Sequence, residues 1–443
     1  MKQTIGILGG GLAGLSLAYF LNKDKYQLTV LEKEEECAGL LKTFQFEGFY
    51  FDIGGHILFS KNQSVLNFLL KMLGENKVKR YRNNCIYYHG RYIKYPFENG
   101  LSQLRKSETF ACLYHYLVNK IKTKKPPQNF GEFLYYYFGW AITEKYLWPY
   151  NQKIWNINPS QMSVRWAKER LPQPPTIDVV KSALGIKTEG YTHQLYFYYP
   201  KVGGIQALAK TLQREVEASG VKILTNFPVK EVVKREKYQV SDGQKQLEFD
   251  QLIIALPIHN FFKAWDQAPP GVLASLTKLR YNSLIIVMLG IQRDKLTDKF
   301  AVYFPDKSLL FHRICFNKYL SDSMCPLGMS SVQAEITVNP GDGIYELSDE
   351  EISQKVIDGL AREGIINKNE VISTKVERSE YAYMVPKLDH EENKKVVYDY
   401  LKSQNLLTCG RFAEFEYLNM DAVVEHAQKL AQELNATNVS FLK

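Results

Sequence analysis

The residue pattern closest to the N-terminus has the types and spacing that bind the phosphates of a dinucleotide. Gly9, Gly11 and Gly14 follow the order G-x-G-x-x-G after an apolar run, and Glu32 ends the next apolar run. The first glycine allows a tight turn, the second lets the backbone approach a pyrophosphate, and the third lets a helix pack closely on a strand. The helix N-terminus adds unpaired N–H groups, and Glu32 can accept hydrogen bonds from both hydroxyls of an adenosine ribose. The sequence therefore predicts a dinucleotide site.

The rest of the sequence shows no independent catalytic set. It contains no evident Ser/His/Asp combination, no cluster with the spacing of metal ligands and no obvious acid–base pair, so no metal site is predicted. This pattern favours chemistry that a cofactor carries, with the protein supplying position and electrostatics. The six cysteines lie far apart and form no CxxC pair. Their spacing favours a reducing, cytoplasmic environment over a zinc ribbon or a secreted disulfide framework.

Length and charge set further bounds on the function. At 443 residues the chain has room for about three domains of ~150 residues each. Its formal net charge of +9 is a mild excess without a dense basic stripe, which disfavours nucleic acid and suits a small anionic substrate. The 29 tyrosines could line a pocket for rings or sugars. Residues 4–22 carry no charge, but their glycines weaken a spanning helix, so we expect no export signal and no membrane segment.

The elements that must position these residues follow from the apolar periodicity. Residues 4–8 and 27–31 read as buried strands on either side of the glycine turn and its helix. From about residue 102 to 150 the pattern is helical, and Phe110, Leu113, Leu117 and Ile121 recur at helix spacing. Strand-like runs dominate from about residue 196 to 390. A last amphipathic helix is expected to begin at Asp421.

Several segments resemble, in order along the chain, the superfamily of flavin amine oxidases and UDP-galactopyranose mutases. Residues 38–43 and 51–56 replace an ordinary second βαβ step with a glycine pair and a histidine. The further segments that are similar to UDP-galactopyranose mutases run over nearly the whole chain: residues 54–60, 95–99, 148–155, 166–170, 199–204, 303–305, 312–314, 318–319, 383–386 and 410–421.

This resemblance implies an α/β fold in which a Rossmann-like FAD-binding domain carries an inserted helical domain and an antiparallel-sheet substrate domain. The FAD-binding domain is expected to be discontinuous, over residues 1–63, 200–262 and 396–443. The helical domain is expected over residues 100–175. The substrate domain is expected over residues 75–99, 176–199 and 263–395.

The resemblance also implies FAD as the cofactor, active when reduced, with NADH or NADPH as the expected reductant. The glycine turn and Glu32 would hold the ADP half, and the loops at residues 54–56 and 410–411 would hold the flavin. The residues expected to bind FAD are Gly9, Gly11, Leu12, Ala13, Gly14, Glu32, Lys33, Gly39, Leu40, Gly54, Gly55, His56, Val229, Gly410, Arg411, Tyr417, Asn419 and Met420.

The substrate implied by the resemblance is a UDP-sugar. Two arginines suit its pyrophosphate, because guanidinium groups bind phosphate oxygens through paired hydrogen bonds. His56, Arg170 and Arg313 are the expected catalytic residues. The residues expected to contact the substrate are Tyr95, Phe97, Tyr150, Asn151, Trp155, Arg170, Gln194, Tyr303, Arg313, Tyr319, Tyr383 and Tyr417.

The reaction implied is the interconversion of pyranose and furanose forms of a UDP-sugar, with UDP-galactopyranose and UDP-galactofuranose as the expected pair. The N5 atom of reduced FAD would attack the anomeric carbon and form a sugar adduct. The resemblance implies that the product serves the synthesis of cell-surface polysaccharide. Two alternatives stay open: an FAD-dependent amine-oxidase-like oxidoreductase, and a flavin-binding protein without this catalysis. The exact sugar, the nucleotide base and the oligomeric state, including a homo-oligomer, stay open as well.

Overall fold

The computed structural model describes residues 2–171, 173–188, 195–339 and 341–436, and of residues 169 and 170 it describes the backbone alone. The strands in these ranges are β1 Gln3–Leu8, β2 Tyr26–Leu31, β3 Thr43–Phe46, β4 Phe49–Asp52, β5 Val78–Tyr81, β6 Asn84–Tyr88, β7 Arg91–Lys94, β8 Tyr196–Tyr199, β9 Lys222–Leu224, β10 Glu231–Lys234, β11 Tyr238–Ser241, β12 Gln246–Phe249, β13 Gln251–Ile254, β14 Tyr281–Ile291, β15 Ala301–Tyr303, β16 Arg313–Cys315, β17 Ser330–Val338, β18 Val371–Met384 and β19 Leu407–Thr408.

The α-helices are α1 Leu12–Phe20, α2 Gln63–Leu73, α3 Lys106–Ile121, α4 Phe130–Ile142, α5 Trp148–Trp155, α6 Val164–Arg170, α7 Thr176–Ala183, α8 Gln206–Ala218, α9 Ile258–Ala264, α10 Pro270–Lys278, α11 Asn317–Leu320, α12 Asp349–Arg362, α13 His390–Ser403 and α14 Met420–Ala436. None of the helices described is long and apolar enough to cross a membrane.

A parallel sheet gathers strands from distant parts of the chain in the order β19-β13-β1-β2-β9. Its strands are apolar because both faces are covered, as parallel sheets require. Ile5 and Ile7 of β1 pack on the side of α1, α8 and α14, and α1 contacts both of the other helices. Leu252 and Ile254 of β13 pack on the opposite side, against the antiparallel sheet β10-β11-β12.

A second large sheet has seven strands in the order β18-β14-β17-β16-β15-β6-β7. Its pairs are antiparallel except for β15 with β6. Strand β14 is buried on both faces: Leu284 and Ile286 pack towards the parallel-sheet core, whereas Ile285 and Val287 pack towards α12. The alternation is the two-residue period of a strand applied to an almost wholly apolar run.

Helices α3 to α7 form a separate core around Tyr116, Phe130 and Phe133. The sequence predicts a helical pattern up to about residue 150, and within it the backbone of Gly139 takes φ +74° inside α4. A Cβ at Gly139 would lie 2.7 Å from the His115 carbonyl oxygen, so glycine lets α3 and α4 approach closely at this kink. A π-helical turn, Thr143–Leu147, then leads into α5.

Candidate active site

The glycine turn after β1 leaves its outer surface open to a phosphate. Gly9 has φ +116°, and a Cβ at Gly14 would lie 2.0 Å from the Gly9 carbonyl oxygen, so both positions need glycine. Gly11 differs from these two glycines. A Cβ added to Gly11 would lie 3.6 Å from the nearest protein atom, the Gly39 Cα. Gly11 is therefore not required by protein packing, and its missing side chain leaves room for a ligand at the N-terminus of α1.

Glu32 lies at the carboxyl end of β2 and is 7% exposed. One of its carboxylate oxygens accepts the Gly10 N–H at 2.7 Å, and the other accepts the Glu34 N–H at 3.0 Å. A carboxylate can accept about four hydrogen bonds. Two protein donors hold the carboxylate beside the turn and leave capacity for ribose hydroxyls.

One cavity of about 1650 Å³ extends from this turn to the large antiparallel sheet. Single small-molecule sites usually measure ~300–1,000 Å³, so this cavity has room for a dinucleotide and a second molecule. The predicted residues that line it are Gly9, Gly11, Leu12, Ala13, Glu32, Lys33, Gly39, Leu40, Gly54, Gly55, His56, Tyr95, Tyr150, Asn151, Trp155, Val229, Tyr303, Arg313, Tyr383, Arg411, Tyr417, Asn419 and Met420.

The loop after β4 brings His56 between two arginines. Burial, together with the positive charges of Arg411 and Arg313, lowers the pKa of His56 to about 4, while a hydrogen bond with the Gly54 backbone acts in the opposite direction. The imidazole is therefore neutral at physiological pH. His56 Nδ1 and Arg411 Nε are buried and have no hydrogen-bond partner among the described residues. Both residues line the cavity where the flavin is expected.

Arg313 is fixed by a carboxylate from the neighbouring strand. Its Nε and one terminal nitrogen donate to the same Glu335 oxygen at 3.0 and 2.5 Å, and Glu335 is fully buried. Burial alone would lower the pKa of Arg313, but Glu335 and the neighbouring Tyr383 raise it well above its usual value, so the guanidinium stays charged. These bonds use two of five N–H donors, which leaves others for a ligand.

Aromatic side chains form part of the cavity wall. The rings of Tyr383 and Tyr417 stack with centroids 6.1 Å apart, and the Arg411 guanidinium lies 4.4 Å from the Tyr417 centroid. Burial raises the pKa of Tyr95, Tyr150 and Tyr383, so these phenols are O–H donors at neutral pH. The Trp155 indole donates to Asn151 at 3.2 Å, which fixes both side chains at the end of α5.

Some predicted residues lie elsewhere. Gly14 and Gly410 do not line the cavity, although a Cβ at Gly410 would lie 2.5 Å from the Ala13 side chain beside it. Phe97 is fully buried and stacks on Tyr146 in the helical core, and the Tyr319 hydroxyl donates to the Tyr81 carbonyl at 2.7 Å. The backbone of Arg170 ends α6, but its side chain and all of Gln194 lie outside the described residues.

Sequence reasoning missed three residues of this site. Arg82 lines the cavity, with its guanidinium 5.7 Å from the Phe59 ring centroid. Asn84 also lines the cavity and donates to the Tyr303 hydroxyl at 3.1 Å. Glu335 lies in a wholly buried strand, where its only sequence signal is that it is the one charged residue of β17.

The comparisons with known proteins agree with this architecture. The model of the NAD(P)-binding Rossmann-like domain matches residues 7–72. The model of the flavin containing amine oxidoreductase family matches residues 178–435, which is more than half of the chain. The chain belongs to the flavin containing amine oxidoreductase family. Membership implies FAD, and it confirms the predicted α/β, Rossmann-like fold class.

Individual family members are only distantly similar. Coproporphyrinogen III oxidase of Staphylococcus aureus is 21% identical over 305 residues, which cover 61% of this chain and 64% of that protein. An L-amino-acid oxidase of Bothrops jararacussu is 35% identical over 89 residues, 19% of this chain and 18% of that protein. The chain thus matches less than two thirds of the length of these relatives.

Solved structures share the fold over almost the entire chain. A crystal structure of reduced UDP-galactopyranose mutase has a TM-score of 0.88 at 21% identity and covers 98% of this chain and 94% of its own. A putative protoporphyrinogen oxidase from Exiguobacterium sp. 255-15 has a TM-score of 0.78 at 18% identity, with 98% and 99% covered. Putrescine oxidase bound to putrescine has a TM-score of 0.66 at 18% identity, with 99% and 100% covered.

The residues of this chain fit the cofactor that the family carries. The open face at Gly11 suits a pyrophosphate, and Glu32 suits the adenosine ribose. The buried Nδ1 of His56 and Nε of Arg411 offer unsatisfied polar atoms at the far end of the same cavity. A ligand beside these two residues would suit them, because buried polar atoms in folded proteins usually have partners.

Proposed function

We propose that this protein is a flavin-dependent isomerase that interconverts the pyranose and furanose forms of a UDP-sugar. UDP-galactopyranose and UDP-galactofuranose are the pair that the resemblance of the sequence motifs implies. The observation that carries the proposal is the charged Arg313, which Glu335 fixes in the cavity wall beside Gly54 and Gly55. An anionic pyrophosphate suits a guanidinium at this position.

Three arginines of the cavity suit an anionic substrate better than an amine. Arg82, Arg313 and Arg411 all line the cavity, and the last two help to keep His56 neutral. A protonated amine would meet these positive charges, whereas a pyrophosphate would be attracted by them. The neutral tyrosine hydroxyls around the cavity supply donors for phosphate and sugar oxygens.

The described side chains bind, orient and exclude water, and the cofactor supplies the reactive centre. Reduced FAD, when bound, supplies an electron-rich nucleophile for the anomeric carbon of the sugar. Arg313 would hold the pyrophosphate while the sugar bond to it breaks and re-forms, and the stacked Tyr383 and Tyr417 would shield the sugar from solvent. His56, neutral above pH 4, would contact the flavin without adding a charge.

An oxidoreductase is the second candidate, because the family and several similar structures are oxidases. The two candidate functions differ in the redox state of the flavin in which the enzyme is active. We expect FAD-loaded protein, reduced with dithionite, to convert UDP-galactopyranose into its furanose isomer, as judged by chromatography of the sugar nucleotide. Oxidised protein should release no isomer, and a reduced protein that also releases none would overturn the assignment to this sugar pair.

The arginines give an independent test of the substrate class. Arg313→Lys keeps the charge but loses the guanidinium fork, and Arg170→Ala removes the second predicted phosphate ligand. Arg170→Ala is expected to weaken UDP binding by about 2–5 kcal/mol, the range for losing one side of a close charged pair, and Arg313→Lys by less, because the positive charge stays. Flavin content should stay unchanged in both variants. UDP affinity equal to wild type in both would mean that neither arginine binds the pyrophosphate.

A further inference from the structure

Helix α3 presents an apolar stripe to solvent. Phe110, Tyr114, Leu117 and Ile121 lie on one helix face, and their exposed fractions are 69%, 52%, 39% and 83%. The rings of Phe110 and Tyr114 stack at 6.1 Å. The buried face of the same helix is a different one, which contains Cys112 and Tyr116. Phe110, Leu117 and Ile121, which the sequence predicts at helix spacing together with Leu113, do lie on a helix, but these three stay outside the core.

Helix α4 extends this surface. Trp140 is 57% exposed, and its ring lies 5.3 Å from the ring of His115, which in turn lies 5.4 Å from that of Tyr114. The apolar surface is thus continuous across two helices. Contiguous apolar surface of this kind marks an interaction site more often than chance exposure.

Positive charges surround the stripe. Lys106 lies four residues before Phe110 on the same line of α3, and the exposed Lys120, Lys122 and Lys125 follow at its other end. Residues 106–125, which contain the stripe and the segment after it, have five Lys against one Glu, a net charge of +4. Glu108 of α3 does not offset the stripe, because it accepts from Lys145 and Tyr88.

We propose that the exposed face of α3, with Trp140, docks this protein on the surface of an anionic membrane. Aromatic and branched side chains insert at the boundary between headgroups and acyl chains, and lysines around them attract anionic lipids. Trp and Tyr are enriched at that depth. The charge distribution disfavours a second copy of the chain, because a two-fold contact through α3 would place the same lysines close to one another.

The test is co-sedimentation of the full-length, FAD-loaded protein with vesicles. We expect at least tenfold more protein on vesicles of 70% phosphatidylcholine and 30% phosphatidylglycerol than on pure phosphatidylcholine. Binding should fall at least fivefold in 0.5 M NaCl, because salt screens surface charge. The double variants Phe110→Ser/Ile121→Ser and Lys120→Gln/Lys122→Gln should each lose at least fivefold. Leu327→Ser is the matched control, since Leu327 is fully exposed in the turn before β17 and should bind as wild type.

Three results would overturn the proposal. The first is no sedimentation with either vesicle, and the second is equal sedimentation with both. The third is a concentration-dependent dimer that the Phe110→Ser/Ile121→Ser variant loses while neither protein binds vesicles, because a second copy would then cover the face. Since all four substituted side chains are exposed, circular dichroism should show folded variants. The salt series on wild-type protein tests the charge argument without any substitution.

Discussion

At the scale of single residues, a substitution at Gly11 should impair cofactor binding without impairing folding. Its added Cβ would meet no protein atom closer than 3.6 Å, so Gly11→Ala should fold normally. The methyl group would instead occupy the face that a pyrophosphate approaches. We expect FAD affinity to fall at least tenfold, about 1.4 kcal/mol, in fluorescence titrations of the apoprotein. Gly271→Ala, with open space around it, is the control, and an alanine at position 11 that binds FAD as wild type would contradict the site.

Arg313 makes the opposite prediction, because its loss should damage the fold as well as binding. Removal of the guanidinium leaves Glu335 fully buried without its partner. We expect Arg313→Ala to lower the free energy of unfolding by about 3–5 kcal/mol in urea titrations. The double variant Arg313→Ala/Glu335→Gln should recover part of that loss, since the amide carries no charge. If Arg313→Ala alone is as stable as wild type, the ion pair between Arg313 and Glu335 does not stabilise this wall of the cavity.

The sequence predicts those site residues that belong to a local pattern. The glycine turn, Glu32 and the 54–56 loop follow from spacing along a few tens of residues. Glu335 could not be predicted from a local pattern. Its partner Arg313 lies directly opposite it on the neighbouring strand, and only the tertiary pairing of β16 with β17 brings the two together. Asn84 escapes for the same reason, because it reaches the cavity through the pairing of β6 with β15, which no short motif records. Arg82 lies in the connection between β5 and β6, where no motif marks it.

At the scale of elements, the short turn Phe97–Asn99 before α3 carries a buried acid. Burial raises the pKa of Glu98 to about 7, although a hydrogen bond to its own backbone acts in the opposite direction. The folded state therefore holds more protons than the unfolded state between pH 4.5 and 7, and stability falls as pH rises through this window. Glu98→Gln removes that fall, because glutamine does not titrate.

We expect the free energy of unfolding of Glu98→Gln to rise relative to wild type by about 3 kcal/mol between pH 4.5 and pH 8. Urea titrations at several pH values measure this difference. Asp52, whose pKa burial raises to about 6, contributes equally to both proteins and cancels. A difference that does not change with pH would mean that Glu98 is ionised in the folded protein at all these values.

Apolar periodicity predicts where a helix lies in the sequence better than it predicts what the helix packs against. Helix α3 forms as predicted, yet its stripe of Phe110, Leu117 and Ile121 faces solvent, because residue spacing specifies a common face and not its partner. The helical pattern predicted up to residue 150 is present, but it is interrupted at Gly139. There the close approach of α3 selects a left-handed backbone over helix continuity.

At the scale of the whole molecule, the fold class could be predicted and the reaction only proposed. Strands β1, β2, β9, β13 and β19 lie far apart in sequence but pair in one parallel sheet. The Rossmann-like model matches residues 7–72 around the glycine turn, and the family model matches residues 178–435. The same fold serves oxidases and a mutase among the similar structures, so the fold cannot choose between them. The choice between oxidase and mutase depends on the charges in the cavity and on whether electrons leave the flavin during turnover.

Electron accounting during turnover tests the central claim most directly. A pyranose–furanose conversion neither gains nor loses electrons, so FAD reduced once should support many turnovers. We expect anaerobic enzyme, given one equivalent of dithionite and excess UDP-galactopyranose, to release many equivalents of isomer while the flavin absorbance stays bleached. Oxidised enzyme should release none. Activity of the oxidised enzyme with stoichiometric formation of hydrogen peroxide or a reduced acceptor, and no isomeric sugar, would contradict the account.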